Sequence, residues 1–243
     1  MVTDVALSVV VPVHDEEAVI DHVVAAIVRE VLDAVPASEL VIVDDTSNDS
    51  TPARLAAHAA ADPRVTVLRN DVNRGHGPSL RRAIDASSGD WILHLDSDGQ
   101  FDPSELPSLW ERRDDADLVL GVRRARHDPR HRLVLTTLTR TFVSALAGRR
   151  VRDANTPFKL IRRSLMDHLA PYVPEDAFAP SILIVLGAAR AGARIVEVDV
   201  THLARPHGRS SLRLGRLGRA VARSAVQTIR FRIRPIPPFT DAG

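Results

Sequence analysis

The chain has 243 residues, is 44% hydrophobic and carries a formal net charge of +1 with no cysteine. That length admits one large α/β domain, and the apolar share excludes global disorder. Structural disulfides and cysteine-ligated zinc are excluded outright, which is compatible with a reduced, cytoplasmic setting.

The N-terminus Met1–Asp4 has no basic region, and the apolar stretch Val5–Val13 is too short to span a bilayer. No run of 18 apolar residues occurs, so no transmembrane helix is expected. Val9–Val13 is continuous and β-branched, the pattern of a strand buried on both faces. Val19, Val23, Ile27 and Val31 then recur at helical spacing within Glu17–Val35. Leu40–Val43 reads as a second buried strand ending at Asp44-Asp45, and Thr51-Pro52 opens a helix toward Ala61. Val65–Leu68 is a third strand. Gly75-His76-Gly77 reads as a tight turn before a helix over Leu80–Ala86, and Trp91–Leu95 is a fourth strand. A helix is expected over Pro103–Arg113, strands over Leu118–Leu120, Phe158–Ile161 and Arg194–Val200, and helices over His131–Ala147 and Pro180–Ala191.

Short buried strands alternating with helices predict a mostly parallel sheet covered on both faces. Ligands of such sheets gather at the carboxyl ends of the strands. Three polar clusters fall there: His14-Asp15-Glu16, Asp44-Asp45 and Asp96-Ser97-Asp98. The last carries the most chemical information. If the backbone stays extended, Asp96 and Asp98 point the same way. Two hard oxygen ligands at a strand mouth suit Mg²⁺ or Mn²⁺ bound to substrate phosphates.

Each cluster has a competing reading. Asp44-Asp45 either caps the turn before the Thr51 helix or recognises a base or ribose. Asn73-Arg74-Gly75-His76-Gly77 is a short glycine turn without the spacing of a phosphate loop or dinucleotide fingerprint. Asp96-Ser97-Asp98-Gly99-Gln100 partly matches the Asp-x-Asp-Gly-Thr motif of haloacid-dehalogenase-type phosphatases. Against that, Gln100 replaces the hydroxyl residue and the motif lies on the fourth strand, not an early one. Pro174-Glu175-Asp176 either begins a helix, with acids at its positive end, or supplies an acidic base. His58, His94 and His168 lack metal-ligand spacing and are assigned no function, whereas His202 and His207 flank Arg205.

Val11-Pro12-Val13-His14-Asp15-Glu16, Val41-Ile42-Val43-Asp44-Asp45, Asn73-x-Gly75-x-Gly77, Gly89-Asp90 and Leu95–Gln100 occur in that order. The set resembles glycosyltransferase family 2, of GT-A fold. Within it, the chain is similar to the dolichol-phosphate and polyprenyl-phosphate sugar synthases. Gly121-Val122-Arg123-Arg124, Asp153–Lys159 and Arg205–Ser211 are similar to three further segments of that subgroup. The resemblance implies an α/β, Rossmann-like domain over residues 1–211 that transfers a sugar with inversion. The donor would be GDP-mannose or a UDP-sugar, and the acceptor a polyprenyl phosphate or, alternatively, a hydroxyl.

The resemblance further implies that Pro12, His14, Glu16, Asp44 and Asp45 line the nucleoside pocket, with Gly75 and Ser97 at the cofactor side. Asp96, Asp98 and Gln100 would hold the metal, Arg205 would meet the donor diphosphate and Arg123 the acceptor phosphate. Asp176 would serve as base only for a hydroxyl acceptor. His14-Asp15 and Thr156-Pro157 depart from the family's usual Tyr-Asn and Ser-Gly.

The near-neutral total hides an asymmetry: nine arginines and no acid lie between Thr201 and Arg234. Residues 212–234 predict a basic amphipathic helix, with Leu214, Leu217, Val221, Ala225 and Ile229 on one face and Arg216, Arg219, Arg223 and Arg230 on the other. Two readings follow: a helix packed on its own domain, or one lying on the inner face of an anionic membrane. With aromatic residues at 4% and little aromatic interleaving, nucleic acid is not an expected partner. Residues 235–243, rich in proline, are expected to form a loose tail.

Overall fold

The computed structural model describes residues 5–123, 130–203 and 214–241. Seven strands form one sheet: β1 (Leu7–Val13), β2 (Ser38–Asp44), β3 (Val65–Arg69), β4 (Trp91–His94), β5 (Leu118–Arg123), β6 (Lys159–Arg162) and β7 (Ile195–Val200). Their order is β3-β2-β1-β4-β6-β5-β7. Each of the seven expected apolar segments forms a strand. β1 to β4 are mutually parallel, and β7 is parallel to β5. β6 alone runs antiparallel, against both β4 and β5.

Alternate strand residues serve opposite faces of the sheet. Val10, Val41, Val43 and Ile92 pack with the helices α3 (His76–Asp85), α5 (Arg130–Ala147), α6 (Arg163–Leu169) and α7 (Pro180–Arg190). Val9, Val11, Leu40, Ile42 and Leu93 pack on the other side, against α1 (Ile20–Ile27), α2 (Thr51–Ala61) and α4 (Leu106–Trp110). β1 and β4 are buried on both faces, as is β2 from Leu40 to Asp44, so the apolar runs Val9–Val13, Leu40–Val43 and Trp91–Leu93 are unbroken; β3, at the sheet edge, is only partly buried.

Several expectations shift. The first helix begins at Ile20, not Glu17, and ends in a π-helical turn over Val28–Leu32, closed by the Asp33 N–H on the Val28 carbonyl at 2.9 Å. α3 begins at His76, four residues before its apolar periodicity starts, because Gly75 adopts φ +90° and turns the chain into the helix. α6 was not expected; its short Leu165-Met166-Leu169 stripe is all that it buries.

The described part of the expected loose tail, residues 235–241, packs back on the domain. It has no regular secondary structure, yet the Phe239 N–H donates to the Ala191 carbonyl at 2.7 Å. The Ser164 hydroxyl meets Asp241 at 3.0 Å, and Ile236 and Phe239 cover the α6–α7 side of the core. The Ala191 carbonyl, just past the end of α7, is thus satisfied by the returning chain. The last helix, α8 (Leu214–Ile233), is seated by Phe231 and Thr228, both 2% exposed. Arg190 fixes its end by donating to the Phe231 and Arg234 carbonyls at 3.0 and 2.7 Å. Ile229, by contrast, is half exposed.

Candidate active site

The parallel half of the sheet brings three acidic clusters to one edge. Val13 lies level with Asp44 and Asp44 with Arg69, while Val10 lies level with His94. The chain therefore leaves β1, β2 and β4 on the same side, carrying His14–Glu16, Asp44–Asp45 and Asp96–Asp98.

The two neighbouring aspartates of β2 have different tasks. Asp44 accepts from the Ser47 N–H at 3.1 Å through Oδ1, while its buried Oδ2 has no hydrogen-bond partner and faces Arg69 Nε at 3.4 Å. Asp45 commits both oxygens to the following loop. It accepts from Asn70 Nδ2 at 2.7 Å, the Arg74 N–H at 2.8 Å and the Gly75 N–H at 2.7 Å. Burial works to raise the pKa of Asp45, but these donors, with Ser79, outweigh it and hold the carboxyl below its ordinary value. Asp45 thus sets the shape of the Asn73–Gly77 turn.

That turn in turn seats another loop. A Cβ on Gly77 would lie 1.9 Å from the Ala177 carbonyl oxygen, so only glycine permits the approach. Residues 174–179 are clamped on their other side by Gln227 of α8, whose Oε1 accepts from the Phe178 N–H at 2.9 Å and whose Nε2 donates to the Asp176 carbonyl at 3.4 Å. The helix starts only at Pro180, so Glu175 and Asp176 are exposed loop residues and not the first turn of a helix.

On the first strand, Pro12 is buried, and His14 is exposed near Asn73 and Asp15. Asp15 takes φ +52°, with its N–H on Ser47 Oγ and its carboxylate on the Asn48 N–H, tying the first two clusters together. The Glu16 N–H donates to Thr51 Oγ1 at 3.0 Å, which fixes the residue beside the start of α2.

The Asp96–Gln100 segment departs from simple strand alternation. β4 ends at His94, and residues 97–99 bend, with Gly99 at φ +69°. Asp98 Oδ1 accepts from the Gln100 N–H at 3.1 Å, and Ser97 is buried in the bend. Asp96 turns inward: its Oδ1 is buried without a hydrogen-bond donor and lies 3.8 Å from His94 Nε2. A buried anionic oxygen left without a donor fits a cation ligand, and the carboxylates of Asp96 and Asp98 are themselves the hard-oxygen kind that suits Mg²⁺ or Mn²⁺. Gln100 has a second task, exchanging backbone and side-chain bonds with Leu203: Leu203 N–H to the Gln100 carbonyl at 2.9 Å, and Gln100 Nε2 to the Leu203 carbonyl at 3.4 Å. It therefore ties the Asp96–Gln100 segment to the one that leads toward Arg205, which lies outside the described residues, as does His207.

Across the sheet, Arg123 at the end of β5 forms a two-pronged pair with Asp153, Nε–Oδ2 2.6 Å and Nη2–Oδ1 3.0 Å. Beside them is Lys159, which sequence reading carried inside a motif without a role. It is fully buried, pairs with His94 in the β4–β6 ladder, and its Nζ has no hydrogen-bond partner. Burial pulls its pKa down to about 7, against the opposing pull of Asp153 and Asp96 and with help from Arg123. His94 is fully buried too, and burial first, then Lys159 and His76, holds its imidazole well below the ordinary histidine range. Sequence spacing carried no signal for either residue, because the antiparallel β6 assembles them from distant segments.

The family model described as Glycosyl transferase family 2 matches residues 8–170. The chain belongs to this family. That match places the Asp96–Gln100 segment in a family-2 domain and not in a phosphatase of the haloacid dehalogenase type. The chain is 31% identical to an undecaprenyl-phosphate 4-deoxy-4-formamido-L-arabinose transferase of Pseudomonas aeruginosa, over 87% of this chain and 61% of that protein. It is 30% identical to an undecaprenyl-phosphate mannosyltransferase of Micrococcus luteus, over 78% of this chain and 82% of the relative. The chain thus spans about three fifths of the length of the first relatives it matches. Among solved structures, glucosyl-3-phosphoglycerate synthase of Mycobacterium tuberculosis, bound to Mn²⁺, UDP and phosphoglyceric acid, superposes with a TM-score of 0.74 at 24% identity, covering 95% of this chain and 79% of that one. The shared architecture is the GT-A fold.

Proposed function

We propose that this chain is an inverting, metal-dependent glycosyltransferase that moves a sugar from a nucleoside-diphosphate sugar, GDP-mannose or a UDP-sugar, to a polyprenyl phosphate. The observation that carries the reading is the arrival of Asp44, Asp96 and Asp98 at one edge of the parallel strands, with the Arg123–Asp153 pair on the adjoining half of the sheet. The names of the Pseudomonas and Micrococcus relatives support the acceptor class.

In this reading Pro12, His14, Glu16 and Asp44 face the nucleoside, and Asp45 with Gly75 hold the loop that borders it. Asp96, Asp98 and Gln100 hold Mg²⁺ or Mn²⁺, which when bound stabilises the charge developing on the departing diphosphate. Arg205 contributes positive charge to the same diphosphate. Arg123, oriented by Asp153, positions the acceptor phosphate. A phosphate monoester has a second pKa of about 6 and is mostly dianionic at neutral pH, so it attacks without a protein base. If a hydroxyl were the acceptor, Asp176 would be the base; the anchoring of its loop by Gly77 and Gln227 favours a defined place for it.

The lipid acceptor also calls for contact with a bilayer. Among the described residues no helix is long and apolar enough to cross a membrane. α8 instead leaves Val226, Ile229 and Ile233 exposed beside Arg230 and Arg232, a surface suited to lying on the cytoplasmic, anionic face of a membrane.

The test is transfer of labelled sugar from GDP-mannose and UDP-sugars to undecaprenyl phosphate with Mn²⁺. Lipid-extractable product is expected, and Asp98→Asn should lower its rate by roughly 10²–10³. No lipid product together with no thermal stabilisation by any nucleoside diphosphate would overturn the reading.

A further inference from the structure

Two histidines that sequence spacing leaves unassigned meet at Asp96. His76 stands exposed in the first turn of α3, and His94 is buried at the last position of β4. Their rings lie 5.8 Å apart between centroids. One ligand atom from each of His76, His94 and Asp96 can be chosen so that all three lie within 4.8 Å of one another. His94 Nε2 and Asp96 Oδ1 are 3.8 Å apart, too far for a hydrogen bond. That gap is what two ligands about 2.1 Å from a common ion would span.

The second observation is the state of the buried atoms. Both ring nitrogens of His94 and the Oδ1 of Asp96 are buried with no hydrogen-bond partner. Buried polar atoms normally find partners, and the two of these that face each other, His94 Nε2 and Asp96 Oδ1, point to a missing one between them. A cation with a free coordination position is satisfied by both groups at once.

We propose that His76, His94 and Asp96 form a second cation site, on the inward side of the Asp96 carboxylate, that takes a borderline transition ion of the Zn²⁺ or Co²⁺ class without any nucleotide. Two imidazoles and one carboxylate make a nitrogen-rich set, which favours such ions over Mg²⁺. Three protein ligands leave a coordination position open to solvent past the exposed His76. Asp96 keeps 35% of its side-chain surface exposed although Oδ1 is buried, so the residue can serve this site without giving up its outward surface. Such a site would order the start of α3 against β4, and with it the loop that Asp45 and Gly77 shape.

The inference stands without the transferase reading, and one experiment separates the two. Metal-free full-length chain is titrated at pH 8 with Zn²⁺ by calorimetry and with Co²⁺ by visible ligand-field absorption, first without nucleotide, then with Mn²⁺ and UDP or GDP. One Zn²⁺ or Co²⁺ per chain is expected without nucleotide. His76→Ala, a change at an exposed side chain, should weaken that binding by about tenfold or more. Asp98→Asn should leave it intact while weakening the nucleotide-dependent Mn²⁺ binding. The proposal is overturned if nucleotide-free binding is absent, if His76→Ala binds as the parent does, or if Asp98→Asn removes it. Loss of the Mn²⁺–nucleotide arm alone would count against the transferase reading and leave this site standing.

Discussion

Lys159 offers a sharp test of the site's electrostatics. Its amine is fully buried, has no hydrogen-bond partner and titrates near pH 7, against 10.5 for an ordinary lysine. The folded-state pKa is depressed, so between roughly pH 7 and 10.5 the unfolded chain binds the proton that the native chain does not. Stability must therefore rise with pH through that window. Below pH 7 both states are protonated and the cost of the buried ammonium is felt in full. At about 1.4 kcal/mol per pKa unit, the 3.5-unit depression corresponds to ~5 kcal/mol. Lys159→Met keeps the unbranched bulk and removes the titration. Groups remote from Lys159 titrate alike in both proteins, and His94 is held neutral by burial first, so the difference between their stability curves reads Lys159 chiefly. Urea unfolding at intervals from pH 6 to 9.5, with chelator present, should show the advantage of the methionine variant shrinking by ~3 kcal/mol as pH rises. A gap that stays constant across the range would refute the assignment of a buried, neutralised amine.

Other perturbations probe the scaffold of the site. Gly77→Ala drives a methyl into the Ala177 carbonyl 1.9 Å away, so the loop bearing Asp176 must move. A loss of about 1–3 kcal/mol is expected, read as a lower melting temperature, and an unchanged melting temperature would show that the loop is not seated there. Asp45→Ala strands three donors, from Asn70, Arg74 and Gly75, and should cost ~3 kcal/mol or more in chemical denaturation. A cost under about 1 kcal/mol would mean that water replaces the carboxylate. Ile229→Asp and Ile233→Asp alter exposed positions of α8, so thermal stability should hold within about 0.5 kcal/mol. Flotation with anionic liposomes should fall in both; equal flotation would end the case for α8 as a membrane surface.

The strands were legible because burial on both faces leaves Val9–Val13 and Leu40–Val43 as unbroken apolar runs, and the polar residues just beyond them mark the functional edge. The direction of β6 was not legible. Lys159–Arg162 is four residues long, and a short run carries no mark of parallel or antiparallel pairing. Nor could local pattern separate Asp44 from Asp45, since one faces Arg69 and the other grips backbone N–H groups some thirty residues on. The alternation argument at Asp96 and Asp98 presumed a strand that in fact stops at His94 and bends.

The Lys159–His94 and Arg123–Asp153 pairings, which the sequence also hid, share a physical origin in the antiparallel strand. Inserting β6 between β4 and β5 sets Lys159 opposite His94 and brings Asp153, which leads into β6, to Arg123 at the end of β5. A lysine is ordinarily an exposed residue, and a lone histidine on an apolar strand ordinarily fills a core. Here the two lie side by side beneath Asp96, neither holding a hydrogen bond at its nitrogens. Burying such groups without partners is costly. The cost falls beneath the acidic strand ends, where a bound cation would offset the share that falls on His94 and Asp96 and a bound phosphate the share that falls on Lys159, and it would serve no purpose in a site whose only work was to hold the sheet together.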